Sequence, residues 1–103
     1  MNYTDDPELL ARIRRDREIL FKNIQGRCRQ QGMTFAELSE RSGVPLYIFQ
    51  ILEACDIQVD FDMEYIVRIC YYLDVQWPGD IFKPGRYYDE EETAEPPAAD
   101  PQP

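Results

Sequence analysis

The sequence predicts an all-α bundle of four to five helices, with a long N-terminal helix and a disordered acidic C-terminal tail. Three observations carry this. Apolar residues recur at helical spacing in several separate segments. Capping residues, glycine and proline punctuate those segments. Beyond Gly85 the run RYYDEEETAEPPAADPQP holds acid, alanine and proline and almost nothing to bury.

The first helix starts at Asp6-Pro7: an N-cap, then proline at the first helical position, then Glu8 at the positive end of the dipole. No further proline appears before Gly32. Leu9, Leu10, Ile13, Leu20, Ile24 and Cys28 mark one apolar side. Gly26 is a break or a tolerated weak point, at about 1 kcal/mol against alanine. The segment 7–30 is thus one long helix or two abutting ones, with Gly32 as the C-terminal stop.

Thr34 with Glu37 three residues later is a capping-box pattern, and it opens a helix from Phe35 to about Arg41. Ser42-Gly43 makes a tight turn. Pro45 suits the first turn of the next helix, where its missing N–H loses no bond, and that helix runs to about Ala54. A loop from Cys55 to Phe61 leads to Asp62, the N-cap of a helix from Met63 to Leu73 with Ile66, Ile69, Cys70 and Leu73 inward. Asp80, Ile81 and Phe82 are expected to add a short turn that lids the core. Tyr71, Tyr72 and Trp77 are expected in or near that core by size and position. Tyr87 and Tyr88 sit in the tail, as anchors or as a sticky linker. The domain division is 1–21 as a helical extension, 22–85 as the folded domain and 86–103 as the tail.

Of the net charge of −9, the tail after Arg86 holds six acids and no base, which leaves 14 acids against all 11 bases, a net of −3, in residues 1–86. The acidity is mostly a property of the tail, so the domain's own charge does not exclude nucleic acid. With 103 residues there is material for one domain. No apolar run approaches the ~20 residues that span a bilayer, and the polar start MNYTDDPELL is no signal peptide. Cys28, Cys55 and Cys70 lack metal-ligand spacing, and an odd count without a signal points to reduced core thiols in the cytoplasm. The chain has no histidine, which removes Ser-His and Cys-His nucleophile pairs. No phosphate-cradling glycine loop or metal pattern appears. The chain is read as non-enzymatic, with no cofactor and no metal.

Two short helices joined by a glycine-containing turn and followed by another helix are a helix-turn-helix outline. The stretches GMTFAELSERSGV (Gly32–Val44), FQILE (Phe49–Glu53) and VDFDMEYIVRICYYLDVQWPGDIF (Val59–Phe82) make residues 22–83 resemble the lambda-repressor/Cro-like helix-turn-helix domain. The last block is most like a bacterial and phage branch of that family. The resemblance implies a transcriptional regulator that binds double-stranded DNA, usually as a homodimer, with the second motif helix in the major groove.

Carried over by position, Thr34 matches the family's N-cap. Phe35 stands where a phosphate-clamping glutamine is usual. Leu46, Tyr47 and Gln50 fall on base-facing positions with Ile51 beside them. This is an unusually apolar set, because direct readout relies on Arg, Lys, Asn and Gln. Helical geometry gives the same division: Val44, Ile48, Phe49 and Leu52 share an inner stripe, and Tyr47, Gln50, Ile51 and Ala54 an outer one. The outer stripe faces bases, or a protein partner as in an antirepressor or inhibitor, or the protein's own N-terminal helix. Arg27, Arg29 and Arg41 are the candidate phosphate contacts. The basic run Arg12, Arg14, Arg15 and Arg17 either follows a phosphate backbone or is a solvated face with pairs such as Glu8–Arg12 and Arg14–Glu18. Leu9, Leu10, Ile13 and Leu20 are a candidate dimer seam, with packing onto the motif as the alternative.

Overall fold

The computed structural model describes residues 6–56 and 62–90. They form four α-helices and one 3-10 turn: α1 Pro7–Gln30, α2 Phe35–Ser42, α3 Leu46–Ala54, α4 Met63–Tyr72 and the turn Pro78–Phe82. No strand occurs among the described residues. The expected tail from residue 91 onward, the first five residues and residues 57–61 of the expected loop lie outside the described residues.

Local signals set the helix ends. The Asp6 carboxylate accepts from the N–H groups of Glu8 and Leu9 at 3.1 and 3.3 Å, filling two donors that a helix start leaves free. α1 then runs unbroken for 24 residues through Gly26. It ends at Gln30, two residues before Gly32, which takes φ +64°. Both halves of the capping box form at α2: Thr34 Oγ1 accepts from Glu37 N–H at 3.1 Å, and Glu37 Oε1 accepts from Thr34 N–H at 2.9 Å. Gly43 closes α2 in the left-handed region at φ +77°, where a side chain would be strained. Asp62 caps α4 through Glu64 N–H at 3.0 Å.

One core joins all the elements. Leu20, Phe21, Ile24 and Cys28 of α1 meet Leu38, Val44, Ile48, Phe49, Leu52, Ile66, Ile69, Cys70, Leu73, Val75 and Ile81. Ile81 is fully buried, so the 3-10 turn does lid the core. Leu20 is 2% exposed and part of this core. It is therefore withdrawn from the dimer seam, since a seam needs side chains that a second chain can reach. Because α1 is continuous and inserts Leu20 and Phe21 beside Ile24, the helix crosses the expected boundary at residue 21 without interruption.

The aromatic expectations also need correction. Tyr71 is 76% and Trp77 68% exposed, and Tyr72 is largely open as well. α4 gives its inner arc to Ile66, Ile69 and Cys70, which leaves residues 71 and 72 outside. Tyr87 moves the other way and is buried. Its N–H donates to Asn23 Oδ1 at 2.8 Å, while Asn23 Nδ2 donates to the carbonyls of Ile81 and Lys83 at 2.7 and 2.9 Å. Arg27 and Arg86 lie over the Tyr87 ring, 5.3 and 4.5 Å from its centroid, a cation–π arrangement. Gly26 explains its place in the middle of α1 here: a Cβ would run into the Tyr87 carbonyl. Residues 86–90, assigned to the tail by composition, thus begin as a strap fastened to α1 through Asn23.

Candidate nucleic-acid interface

α2 and α3 are held at their angle by a short set of polar contacts around the turn. Ser39 Oγ donates to the Val44 carbonyl at 2.6 Å, Ser42 Oγ donates to the Leu38 carbonyl at 2.7 Å, and Val44 N–H donates to Ser42 Oγ at 3.2 Å. Arg68 reaches across from α4. Its Nη1 donates to the Ser42 carbonyl at 3.2 Å, at the C-terminal end of α2, while Glu64 Oε2 holds its Nη2 at 2.8 Å. A cation at a helix C-terminus is favourable, and the hydrogen bond with Glu64 pushes the Arg68 pKa up further. Sequence reasoning missed this role. Its one signal was the Glu64–Arg68 spacing of four.

α3 divides as its periodicity requires. Ile48, Phe49 and Leu52 are buried, with Val44 just before them. On the outer side Tyr47 is 56% and Leu46 43% exposed, and Gln50 is open to solvent. These three share the first turn and a half of α3. Ile51 is half-buried against the core, so it contributes an edge and not a full face. α1 does pack on α3, but at the far end: Arg17 Nη1 donates to the Asp56 carbonyl at 2.9 Å and the Cys55 thiol to the Arg14 carbonyl at 3.4 Å. Leu46, Tyr47 and Gln50 are left uncovered by that contact.

Phe35 turns inward. Its ring stacks on Phe49 with centroids 5.2 Å apart and tilts against Phe21 at 5.6 Å, joining α1, α2 and α3 in one aromatic row. It is therefore corrected from a surface contact to a packing residue, because the row takes its faces. Thr34 is exposed, but its hydroxyl is engaged with Glu37 in both directions. Glu37 places a carboxylate at the α2 N-terminus, and its pKa is lowered chiefly by the Thr34 backbone N–H. An incoming phosphate would have to share that helix end with a negative charge.

Of the candidate phosphate contacts, Arg27 is committed elsewhere. Its Nε donates to the Leu73 carbonyl at 2.8 Å and its Nη2 to the Asp74 carbonyl at 3.2 Å. It clamps the end of α4 to α1 and is corrected accordingly. Arg29 is exposed and lines an open cleft with Gln25, Cys28, Met33, Thr34 and Phe35, where α1 ends and α2 begins. Arg41 is exposed on the last turn of α2. In the basic run the pairs differ from the expected ones: Arg12 approaches Asp16 at 4.0 Å and Lys22 holds Glu18 at 3.0 Å. Burial pushes the Cys28 and Cys70 thiols up to about 11, so both stay protonated as core groups. No cluster able to hold a metal, and no helix long and apolar enough to cross a membrane, occurs among the described residues.

A helix-turn-helix pair packed on a helical core, with the outer face of its second helix open, defines a DNA-binding type of bundle. The chain belongs to the Cro/C1-type HTH DNA-binding domain family, whose model matches residues 23–84, more than half of the chain. The match begins within α1, leaving residues 7–22 of that helix as an extension beyond the family's domain. No curated protein and no solved structure gives a significant match.

Proposed function

We propose that the protein is a transcriptional regulator that binds double-stranded DNA as a homodimer, with α3 in the major groove. The observation that carries this reading is the open face of Leu46, Tyr47 and Gln50 on the second helix of a Cro/C1-type motif. Gln50 is suited to the N6/N7 edge of adenine, and Leu46 to a thymine methyl group. Arg29 and Arg41 flank the motif and supply phosphate contacts. With so few bases, affinity is modest and strongly salt-dependent, because each neutralised phosphate releases counterions.

A gel shift with random and self-promoter DNA tests this. Binding at about 50 mM salt that weakens steeply by about 200 mM is expected. The complete absence of a shift at the lower salt overturns the reading. A second reading, a protein-interaction module, draws on the same face: α3 bears no basic residue, and Leu46 and Tyr47 are both exposed on it. Changing Tyr47→Ala with Leu46→Lys separates the two. The DNA reading expects altered base preference, whereas a protein module loses its partner with DNA binding absent throughout.

A further inference from the structure

Each motif helix ends under an arginine from outside the motif. At the end of α2 it is Arg68 of α4, on the Ser42 carbonyl. At the end of α3 it is Arg17 of α1, whose Nη1 donates to the Asp56 carbonyl at 2.9 Å, 39 residues away in the chain. The need is greater at α3. It is only nine residues long and has no side-chain cap at its start, so it depends on its surroundings to stay formed. Its last turn carries Glu53 and no basic residue, which puts an acid at the end where a helix favours a cation. Cys55 closes it in the left-handed region at φ +57°, a conformation that side chains other than asparagine adopt at a cost. The Cys55 thiol donates in turn to the Arg14 carbonyl at 3.4 Å. Arg14 and Lys22 share a cleft with Glu53, so α1 brings to this end of α3 the bases that α3 lacks.

We propose that Arg17 is a positioning residue for base recognition by α3, and that the α1 extension is the brace that carries it. The family's domain begins at residue 23, so Arg14 and Arg17 both belong to the part of α1 outside it. Arg17 is half-buried, and its planar guanidinium brings a charge and a fixed fork of donors. Held on the Asp56 carbonyl, it keeps the last turn of α3 closed. In that turn the Ile51 carbonyl accepts from the N–H groups of Cys55 and Asp56, and the Leu52 carbonyl from that of Cys55. Ile51 directly follows Gln50, so a turn that frays here loosens the side chain offered to a base edge. The other end of α3 is already fixed, through the Ser39 and Ser42 hydroxyls on Val44. Base contacts depend on such placement, whereas phosphate contacts carry no sequence information and tolerate its loss. The functional half of the inference rests on DNA reading by α3 as proposed above; the bracing of the helix does not.

Two substitutions in the full chain test it. Arg17→Met keeps the packed stem and removes the donors, and Arg17→Lys keeps the charge and a donating group. Without DNA, amide hydrogen exchange at Cys55 and Asp56 is expected to quicken about threefold to tenfold in Arg17→Met, the size of one lost hydrogen bond, with an unchanged circular dichroism spectrum. Arg17→Lys is expected to recover part of that protection. With DNA, the preference of Arg17→Met for the sequence selected by the wild type over random DNA is expected to fall by a similar factor. Its affinity for random DNA is expected to change less than about twofold. Unchanged exchange, exchange that Arg17→Lys does not slow again, or an equal loss on selected and random DNA each overturns the proposal. Faster exchange in a chain that binds no DNA upholds the brace and removes only the DNA reading.

Discussion

α3 and α4 are built alike and edged differently. Each is about ten residues long, buries three apolar side chains and adds a fourth just outside its end: Val44 before α3 and Leu73 after α4. Each also leaves large apolar side chains in water. On α3 these stand beside the Gln50 amide and the Tyr47 hydroxyl, which can pair with base edges, and Arg41 ends the preceding helix. On α4 the open stripe begins with Met63 and Val67, which can only pack, and its charges are already paired as Glu64 and Arg68. Burial pattern alone does not distinguish the two outer faces. The hydrogen-bonding groups among the exposed residues do.

The largest effect is expected where inner and outer positions are exchanged as targets. Phe49→Ala removes one end of the Phe21–Phe35–Phe49 row and a fully buried ring, and is expected to cost about 3–5 kcal/mol, whereas Met63→Ala on the outer stripe stays within about 0.5 kcal/mol. Urea denaturation of both variants checks this, and equal losses would erase the distinction between the two faces. Next comes base reading. Gln50→Ala is expected to reduce discrimination at one base position by about 1–3 kcal/mol, while Val67→Ala leaves base preference unchanged in a binding-site selection.

A smaller effect concerns how the two motif helices start. α2 has a complete capping box and α3 has no side-chain cap at Pro45. Thr34→Ala is expected to cost about 1 kcal/mol, read as a lower melting temperature, and Pro45→Ser would test whether a cap can be added to α3. The smallest effect is alkaline. Cys28 and Cys70 ionise near pH 9 when unfolded and only near about 11 when folded. Their contribution is complete below pH 9 and declines as pH rises through 11, because the unfolded chain gains the thiolate first. A melting curve that stays flat from pH 8 to pH 11 would contradict that assignment.

Much of the bundle was legible in the chain because its signals are local. Asp6, Thr34, Gly43 and Asp62 act within three or four residues, and the inner stripes of α3 and α4 follow helical spacing. The site was less legible. Phe35 reads as a surface position by its place in the motif, yet Phe21 and Phe49 draw its ring inward. Arg27 looks like any exposed arginine until the carbonyls of Leu73 and Asp74 meet it from 46 and 47 residues away. Tyr71 and Trp77 look like core by size, and nothing nearby in sequence says that Ile69, Cys70 and Ile81 have already filled it.

The chain by itself determined the helices, their caps, the glycine turn and the class of motif, since each depends on backbone donors, φ and periodicity over a few residues. Tertiary contact decided the rest. It put Leu20 in the core and not in a seam, fastened Tyr87 to α1 through Asn23 and Gly26, spent Arg27 and Arg68 on backbone carbonyls, and left Leu46, Tyr47 and Gln50 open on α3 and Met63, Val67 and Tyr71 open on α4. Which apolar side chains stay in water depends on how much core the other helices have already supplied, and that sum is set only when all of them are packed.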